Sequence, residues 1–229
     1  MKLIVIEGLD GAGKSTQVEL LKELFIERKQ KCKHLHFPRT EAPYYGELIA
    51  KFLRGDFGKL EDVNPYLVAM LYAGDRKDIS DEVYGWLNDG YYVLADRYVY
   101  SNIAYQCAKI KNPEDRQSLK EWIRNLEFKH FGIPEPAINL FLDVPLSFTE
   151  SKLKNKRKGA DRSYLKGKQD IHESSLSFQN EVRNIYIESA MSDPSMVIID
   201  CHNENDNIHK PEKVFEMILV ELLKMKIIS

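Results

Sequence analysis

The sequence predicts an α/β protein: a doubly wound, five-stranded parallel sheet flanked by helices. Three observations predict it. Short β-branched runs alternate with longer helical patterns along all 229 residues, the order that builds strand–helix–strand units. Most of the short runs are apolar nearly throughout rather than alternating, as expected where helices cover both faces of a parallel sheet. No internal repeat and no long Pro/Gly/Ser linker divides the chain, so one domain over 1–229 is expected.

The elements follow in order. KLIVIE (2–7) reads as a strand and runs into EGLDGAGKST (7–16), with a helical pattern over roughly 14–29. KHLHF (33–37) is the second strand, followed by helical patterns at 45–54 and 64–88. YYVLAD (91–96) is the third, with helices at 99–110 and 114–131. INLFLD (138–143) is the fourth, with helices at 147–157 and 174–191. MVIID (196–200) is the fifth, and a helix over 211–226 follows. Pro211 suits a first helical turn, and Val214, Phe215, Ile218, Leu219, Leu222 and Leu223 then share one apolar face. Ligands in such folds sit outside the carboxyl ends of the strands, so the residues just after each strand are the ones to read for chemistry.

Composition excludes several classes. Thirty-three Lys and Arg against 35 Asp and Glu leave a net charge of −2, too balanced for a globally basic nucleic-acid binder. No apolar run approaches membrane-spanning length. MKLIVIEG is too short an apolar stretch for a signal peptide and runs into a glycine loop rather than a cleavage site. Cys32, Cys107 and Cys201 are odd in number and widely spaced, matching neither a disulfide framework nor a zinc pattern. They read as reduced thiols packed in or near the core of a cytoplasmic protein.

After the first strand the chain reads G-x-x-x-x-G-K-S, as Gly8, Gly13, Lys14 and Ser15, with Gly11 and Ala12 inside the loop and Thr16 behind it. Glycines cost folding entropy, so a cluster here answers a need for unusual dihedrals or a bare backbone. The need is an anion: successive backbone N–H groups turn inward around phosphate, and the following helix adds its positive end. Lys14 reaches the terminal phosphates and the Ser15 hydroxyl meets Mg²⁺. By composition alone, on the order of one chain in a hundred of this length would carry the pattern by accident. Its position between a strand and a helix lowers that further. The fold class is therefore of the P-loop NTPase type, and nucleoside triphosphate binding is expected.

Neither the guanine-reading N/T-K-x-D of switch GTPases nor the transporter signature LSGGQ is present. A second acid at a strand end is needed to help position Mg²⁺, and Asp96, Asp143 and Asp200 all follow apolar runs. Asp96 precedes Arg97, which joins a metal-facing carboxylate to a phosphate-facing cation. Capping or turn hydrogen bonding suits Asp143 and Asp200 better. Residues 152–168, KLKNKRKGADRSYLKGK, hold eight Lys/Arg and one acid. Beside a phosphate loop this reads as a lid, spanning about 152–172, that closes cations over the transferring phosphates and excludes water. A solvated face and a nucleic-acid patch are the other readings.

GLDGAGKST (8–16), FPRT (37–40), YAGDR (72–76), DRYVYSNIAYQ (96–106) and FLDVP (141–145) stand in this order along the chain. Together they resemble the thymidylate kinases among the P-loop nucleoside monophosphate kinases. DRY followed by S-x-x-A-Y-Q, with an acid at the third position of the loop, is the specific combination. The resemblance implies transfer of the γ-phosphate of ATP to dTMP, giving dTDP, with Mg²⁺ held by Ser15 and Asp96. Such transfer is mostly positioning and charge neutralisation, so cations should surround the phosphates.

By the same resemblance Arg39 and Arg97 hold the dTMP phosphate, where a planar guanidinium suits bidentate contact, and Asp10 accepts the sugar 3′-hydroxyl. Tyr72 and Arg76, four apart on a predicted helix, share a face. The pair would stack on thymine and donate to its O4. Arginine has donors only, so it reads the O4 acceptor but not the amino group of cytosine. The family more often has phenylalanine where Tyr72 stands, and the extra hydroxyl needs a partner. Tyr105 matches the tyrosine near the sugar C2′, Gln106 falls in the base pocket, and Ser101 lines it or bonds its own backbone.

Some family members carry a catalytic arginine in the loop. Here those positions are Gly11 and Ala12, so the cation must come from the lid, as Arg157 or Arg162, with Arg162 the first choice for its place mid-segment. The family also implies a homodimer, with ATP and dTMP as small-molecule partners and no nucleic acid or membrane. Rival readings are another P-loop nucleotide or deoxynucleoside kinase, for instance one preferring dUMP, a nucleotide-binding regulator or RNA-associated ATPase, and a catalytically dead homologue. The presence of Lys14, Asp96 and Arg97 disfavours the last. Discrimination by the thymine methyl alone is worth only about 1–3 kcal/mol.

Overall fold

In the computed structural model, residues 2–149, 160–168, 170–204 and 207–228 are described, without the side chains at 160–162, 173 and 174. The five predicted strands form: β1 (Leu3–Gly8), β2 (Cys32–His36), β3 (Tyr92–Asp96), β4 (Ile138–Asp143) and β5 (Met196–Asp200). They make one parallel sheet in the order β2-β3-β1-β4-β5. β1, β3 and β4 are buried along their whole length, which is why they read as unbroken apolar runs. β2 and β5 lie at the edges and are partly exposed.

The two faces of β1 feed two cores. Leu3 and Val5 pack with Ile103, Leu119, Ile123, Val182 and Tyr186, from α4 (Val99–Cys107), α5 (Pro113–Arg124) and α6 (Leu176–Ser192). Ile4 and Ile6 pack with Val18, Leu21, Phe25, Ile218 and Leu222, from α1 (Lys14–Glu27) and α7 (Pro211–Lys224). A smaller cluster, with Ile49, Phe52, Leu53 and Val68, joins α2 (Tyr45–Leu53) to α3 (Pro65–Asn88). The approach of these two helices depends on Gly74, where a Cβ would meet the Tyr45 ring at 2.2 Å. Among the described residues no helix is long and apolar enough to cross a membrane.

Boundaries differ from expectation in several places. The helix expected over 114–131 is α5 followed by a π-helical turn at Asn125–His130. The wider turn displaces Glu127 from the α-helical register, and Glu127 ends fully buried. The helix expected over 99–110 ends at Cys107. The segment expected as helix from 174 begins as a 3₁₀ turn, Ile171–Ser174, before α6 starts at Leu176. Of the helix expected at 147–157, residues 147–149 are helical and the rest lies outside the described residues. Cys107 and Cys201 are buried free thiols as expected, and Cys32 is half-buried.

The topology fixes where a ligand sits. β1 and β3 are neighbours, with Ile6 opposite Asp96. The chain leaving β1 travels towards the β2 edge and the chain leaving β3 towards β4, so a crevice opens between their carboxyl ends.

Candidate active site

The phosphate end of the crevice is backbone. Gly11 and Gly13 take φ of 83° and 87°, a region costly to residues with a Cβ, and the turn closes with Ala12 N–H donating to Leu9 O at 3.2 Å. Gly13 then caps α1 without a side chain. Lys14 is buried and donates to the carbonyls of Gly8 (3.3 Å) and Leu9 (3.0 Å), which keeps its ammonium inside the loop. Ser15 and Thr16 open the helix, exposed.

Asp96 closes β3 beside them. Its Oδ2 lies 3.5 Å from Ser15 Oγ and 3.3 Å from Nδ1 of His36, which ends β2. Its Oδ1 is buried with no partner among the described residues. Burial alone would raise its pKa. The His36 hydrogen bond and the charges of Lys14 and Arg97 outweigh it, bringing the carboxyl down to about 2. Asp143 differs from expectation: it is neither a cap nor a turn acceptor, but takes a bidentate pair from Arg183 at 2.5 and 2.6 Å. Asp200 accepts from the backbone of His202 in a turn, as expected.

Arg97 follows Asp96 at φ 68°, uncommon for a residue with a side chain. Such strain persists where surrounding contacts over-determine it. Here Nη2 donates to Asp10 (2.9 Å), Nη1 to Ser101 Oγ (3.2 Å), and the guanidinium lies over the Tyr105 ring at 5.3 Å. Tyr105 O–H donates to the other Asp10 oxygen at 3.2 Å. Asp10, Arg97, Ser101 and Tyr105 thus form one network, which brings these four sequence-assigned residues together.

Its anchor was not anticipated. Glu7, the residue before Gly8, is fully buried and accepts from the backbone of Tyr98 (2.9 Å) and Ser101 (3.1 Å), from the Ser101 hydroxyl and from Tyr186 (3.0 Å). A carboxylate here satisfies amides at the start of α4. Burial raises the Glu7 pKa, and its hydrogen bonds oppose that rise. Ser101 therefore bonds Glu7 rather than its own backbone.

The other end of the crevice is side chains. Arg76, on α3, is 2% exposed and makes a bidentate pair with Glu127, Nε and Nη2 at 2.5 and 2.7 Å. Burial works against its charge, but Glu127 raises its pKa. Asn102 donates from Nδ2 to Ala69 O and to Glu127 Oε1, both at 3.0 Å, while its buried Oδ1 has no partner among the described residues. Tyr72, Arg76, Asn102 and Gln106 line the same cavity as Asp10, Lys14 and Asp96. Both amide atoms of Gln106 are buried without partners among the described residues. Burial, then the Asp170 charge, drive the Tyr72 pKa well up, so the phenol stays protonated.

Arg39 is tied elsewhere. Its backbone N–H and Nε reach the Asp75 carboxylate at 2.9 Å each, and Nη2 reaches Asp75 O (2.8 Å) and Asp78 (2.6 Å). The neighbouring Phe37 and Pro38, joined by a cis peptide, do line the cavity. Arg157 lies outside the described residues. The backbone of Arg162 is in a 3₁₀ turn, Ala160–Leu165, and its side chain is not described. The described part of the expected lid segment lies against α2, with Arg54 donating to Tyr164 O (2.7 Å) and Lys168 to Asp56 (2.7 Å). From it Tyr164, Asp170 and His172 reach the cavity. His172 packs on Tyr105 at 4.8 Å, and burial together with the Lys109 charge holds its pKa well below the ordinary histidine value.

Glu127, His36 and His172 had no signal of their own in sequence. Asn102 had a faint one: it stands one turn before Gln106 on the same helix.

A glycine-rich loop opening a helix at one end of a crevice and a hydrogen-bonding recess at the other can bring two substrates together, and that arrangement is the mark of a P-loop nucleotide kinase. Comparison with known proteins narrows the class. The family model described as thymidylate kinase matches residues 6–211. The thymidylate kinase of Mycobacterium tuberculosis (strain H37Rv) is 30% identical over 188 residues, covering 82% of this chain and 85% of its own. The probable thymidylate kinase of Pyrobaculum aerophilum is 30% identical over 226 residues, covering 98% and 97%. The solved structure of thymidylate kinase from Candida albicans superposes with a TM-score of 0.71 at 27% identity, over 99% of this chain and 92% of that one. The chain belongs to the thymidylate kinase family and is a phosphotransferase.

Proposed function

We propose that this site transfers the γ-phosphate of ATP to dTMP, and that the residues just described divide the work. The observation that carries the proposal is that Lys14, Asp96, Arg97, Arg76 and Asn102 line one cavity. The loop amides of residues 8–13 and Lys14 hold the donor phosphates. Arg97, held by Asp10 and Ser101, faces the acceptor phosphate, and Asp10 accepts from the sugar 3′-hydroxyl. Tyr105 and His172 shape the sugar site. Arg76 donates to O4 of the base, Asn102 Oδ1 accepts from N3–H, and Tyr72 and Gln106 complete the recess.

Ser15 Oγ and the ionised Asp96, with one buried carboxylate oxygen unpartnered among the described residues, are hard oxygen donors that fit Mg²⁺. Among the described residues no group of three or more His, Cys, Asp or Glu would hold a metal, so phosphate and water oxygens complete its shell. When bound, Mg²⁺ neutralises charge on the transferring phosphates. Arg39 bonds Asp75 and Asp78 in the structure, and its role at the acceptor phosphate requires exchange of that partner. Arg162, or failing it Arg157, supplies the catalytic cation from a lid over about 152–172. The chain works as one kinase domain, as a cytoplasmic homodimer.

The test is ADP release with Mg-ATP across a panel of nucleoside monophosphates and deoxynucleosides. dTMP is expected to be turned over best, dUMP within about 10- to 200-fold of it, and dCMP far more poorly. Turnover of a deoxynucleoside in preference to dTMP, or equal rates for dTMP and dCMP, would overturn the assignment.

A further inference from the structure

Glu127 lies fully buried on the π-helical turn, 51 residues along the chain from Arg76 and 25 from Asn102, and touches both. A buried ion pair is a poor device for stability, because desolvation offsets most of the Coulombic gain. This pair calls for another explanation, and its geometry supplies one. Glu127 occupies Nε and Nη2 of Arg76, which leaves Nη1 as the guanidinium nitrogen to meet a ligand. It also accepts from Nδ2 of Asn102. That contact decides which way the amide points: the N–H₂ side is taken by Glu127 and Ala69 O, and the C=O side is left unpartnered among the described residues, in the cavity lining.

We propose that Glu127 is the positioning residue that sets the hydrogen-bond polarity of the base recess. Through Arg76 it presents a donor, and through Asn102 an acceptor. A carboxylate enforces this because it has no donor of its own. With Asn102 reversed, its C=O would face Glu127, two acceptors together. The recess is therefore complementary to a pyrimidine with a 4-oxo group and an N3–H, as in thymine or uracil, and mismatched at both positions to cytosine, which carries a 4-amino group and a bare N3. The inference deepens the proposed function and rests on it.

The test is Glu127→Gln, which keeps the shape but adds a donor, so that Asn102 can turn over. Values of kcat/KM for dTMP and dCMP are measured in wild type and variant with Mg-ATP. The expected result is a fall of about tenfold or more in the dTMP:dCMP ratio, with Glu127→Asp, which keeps the charge, retaining more of the ratio than Glu127→Gln. An unchanged ratio in a folded Glu127→Gln, with both substrates losing equally, would reduce Glu127 to a structural role and overturn the proposal. A wild type that ignores dTMP would instead overturn the proposed function itself. If the variants do not fold, a crystal structure of the wild type with dTMP decides. Asn102 Oδ1 within hydrogen-bond distance of N3 and Nδ2 on Glu127 supports the proposal. An Asn102 amide parted from Glu127 or from N3 overturns it.

Discussion

At the proposed donor-phosphate end of the cavity a single stretch, residues 8–16, offers its main-chain amides and the Lys14 side chain, with Asp96 and Arg97 beside it from the end of β3. At the base end Arg76, Asn102 and Glu127 come from α3, α4 and the π-helical turn, and each depends on the others. The first is local, so its design survives in any sequence that keeps the glycines and the lysine. The second exists only once the fold has brought three separate segments together, and its information is spread over 51 residues. The contrast matters for function. Groups that meet the transferring phosphoryl act mainly on kcat, whereas groups that read the base act mainly on KM and selectivity.

That division is open to direct attack. The largest effect belongs to Lys14→Ala and Arg97→Ala: kcat/KM for dTMP should fall by about 10³-fold or more in each, since both remove charge stabilisation at the phosphates. Near-normal turnover in either, read by ADP release, would erase the phosphate end as drawn. Arg162→Ala should follow at about 10²-fold, lowering kcat more than it raises KM. If only dTMP binding weakened, or if Arg157→Ala gave the larger loss of kcat, the catalytic cation would be reassigned.

At the base end, Asn102→Ala should raise the KM for dTMP about tenfold with the smaller change in kcat. Steady-state kinetics that showed the reverse would dissolve the contrast between the two ends. The smallest effect concerns stability. Lys109 Nζ has no hydrogen-bond partner among the described residues, lies over the Phe52 ring at 4.7 Å, and burial lowers its pKa to about 7. The unfolded chain holds that proton more tightly than the folded one, so this site makes stability rise with pH from about 7 to the ordinary lysine range. Lys109→Met should therefore stabilise the fold by roughly 1–3 kcal/mol near pH 6 and by much less near pH 10. Denaturant titration at the two pH values gives the comparison, and equal gains at both would show that the ammonium is not penalised.

How much of this was legible in sequence follows the same line. The five strands were readable because buried parallel strands are continuous apolar runs, and the phosphate loop because its physics is local. Arg97, Ser101 and Tyr105 were assigned to one site by the resemblance of DRYVYSNIAYQ to the family motif, not by periodicity, and Arg97 stands just before the helix that carries the other two. Glu127 was hidden: a glutamate in NLEFKH looks like any solvated acid, and only the π-turn and Arg76 make it a buried one. His36 was hidden for a related reason. It sits on a half-exposed edge strand, and nothing local reveals that the end of β3 brings Asp96 beside it. Arg39 was given a phosphate by resemblance, and the structure gives it Asp75, a partner 36 residues away that no pattern announced.

Glu7 has a consequence for the size of what the cavity accepts. It belongs to the central strand, immediately before the loop, and it grips the first turn of α4, the helix that carries Asn102 and Gln106. Helical rise is fixed at about 1.5 Å per residue, so the span from phosphate loop to base recess is measured along a ruler nailed to the sheet at one end. Such a gauge checks length as well as chemistry. An acceptor with one phosphate more than the monophosphate, or with a purine in place of the pyrimidine, is expected to fit that span less well than dTMP.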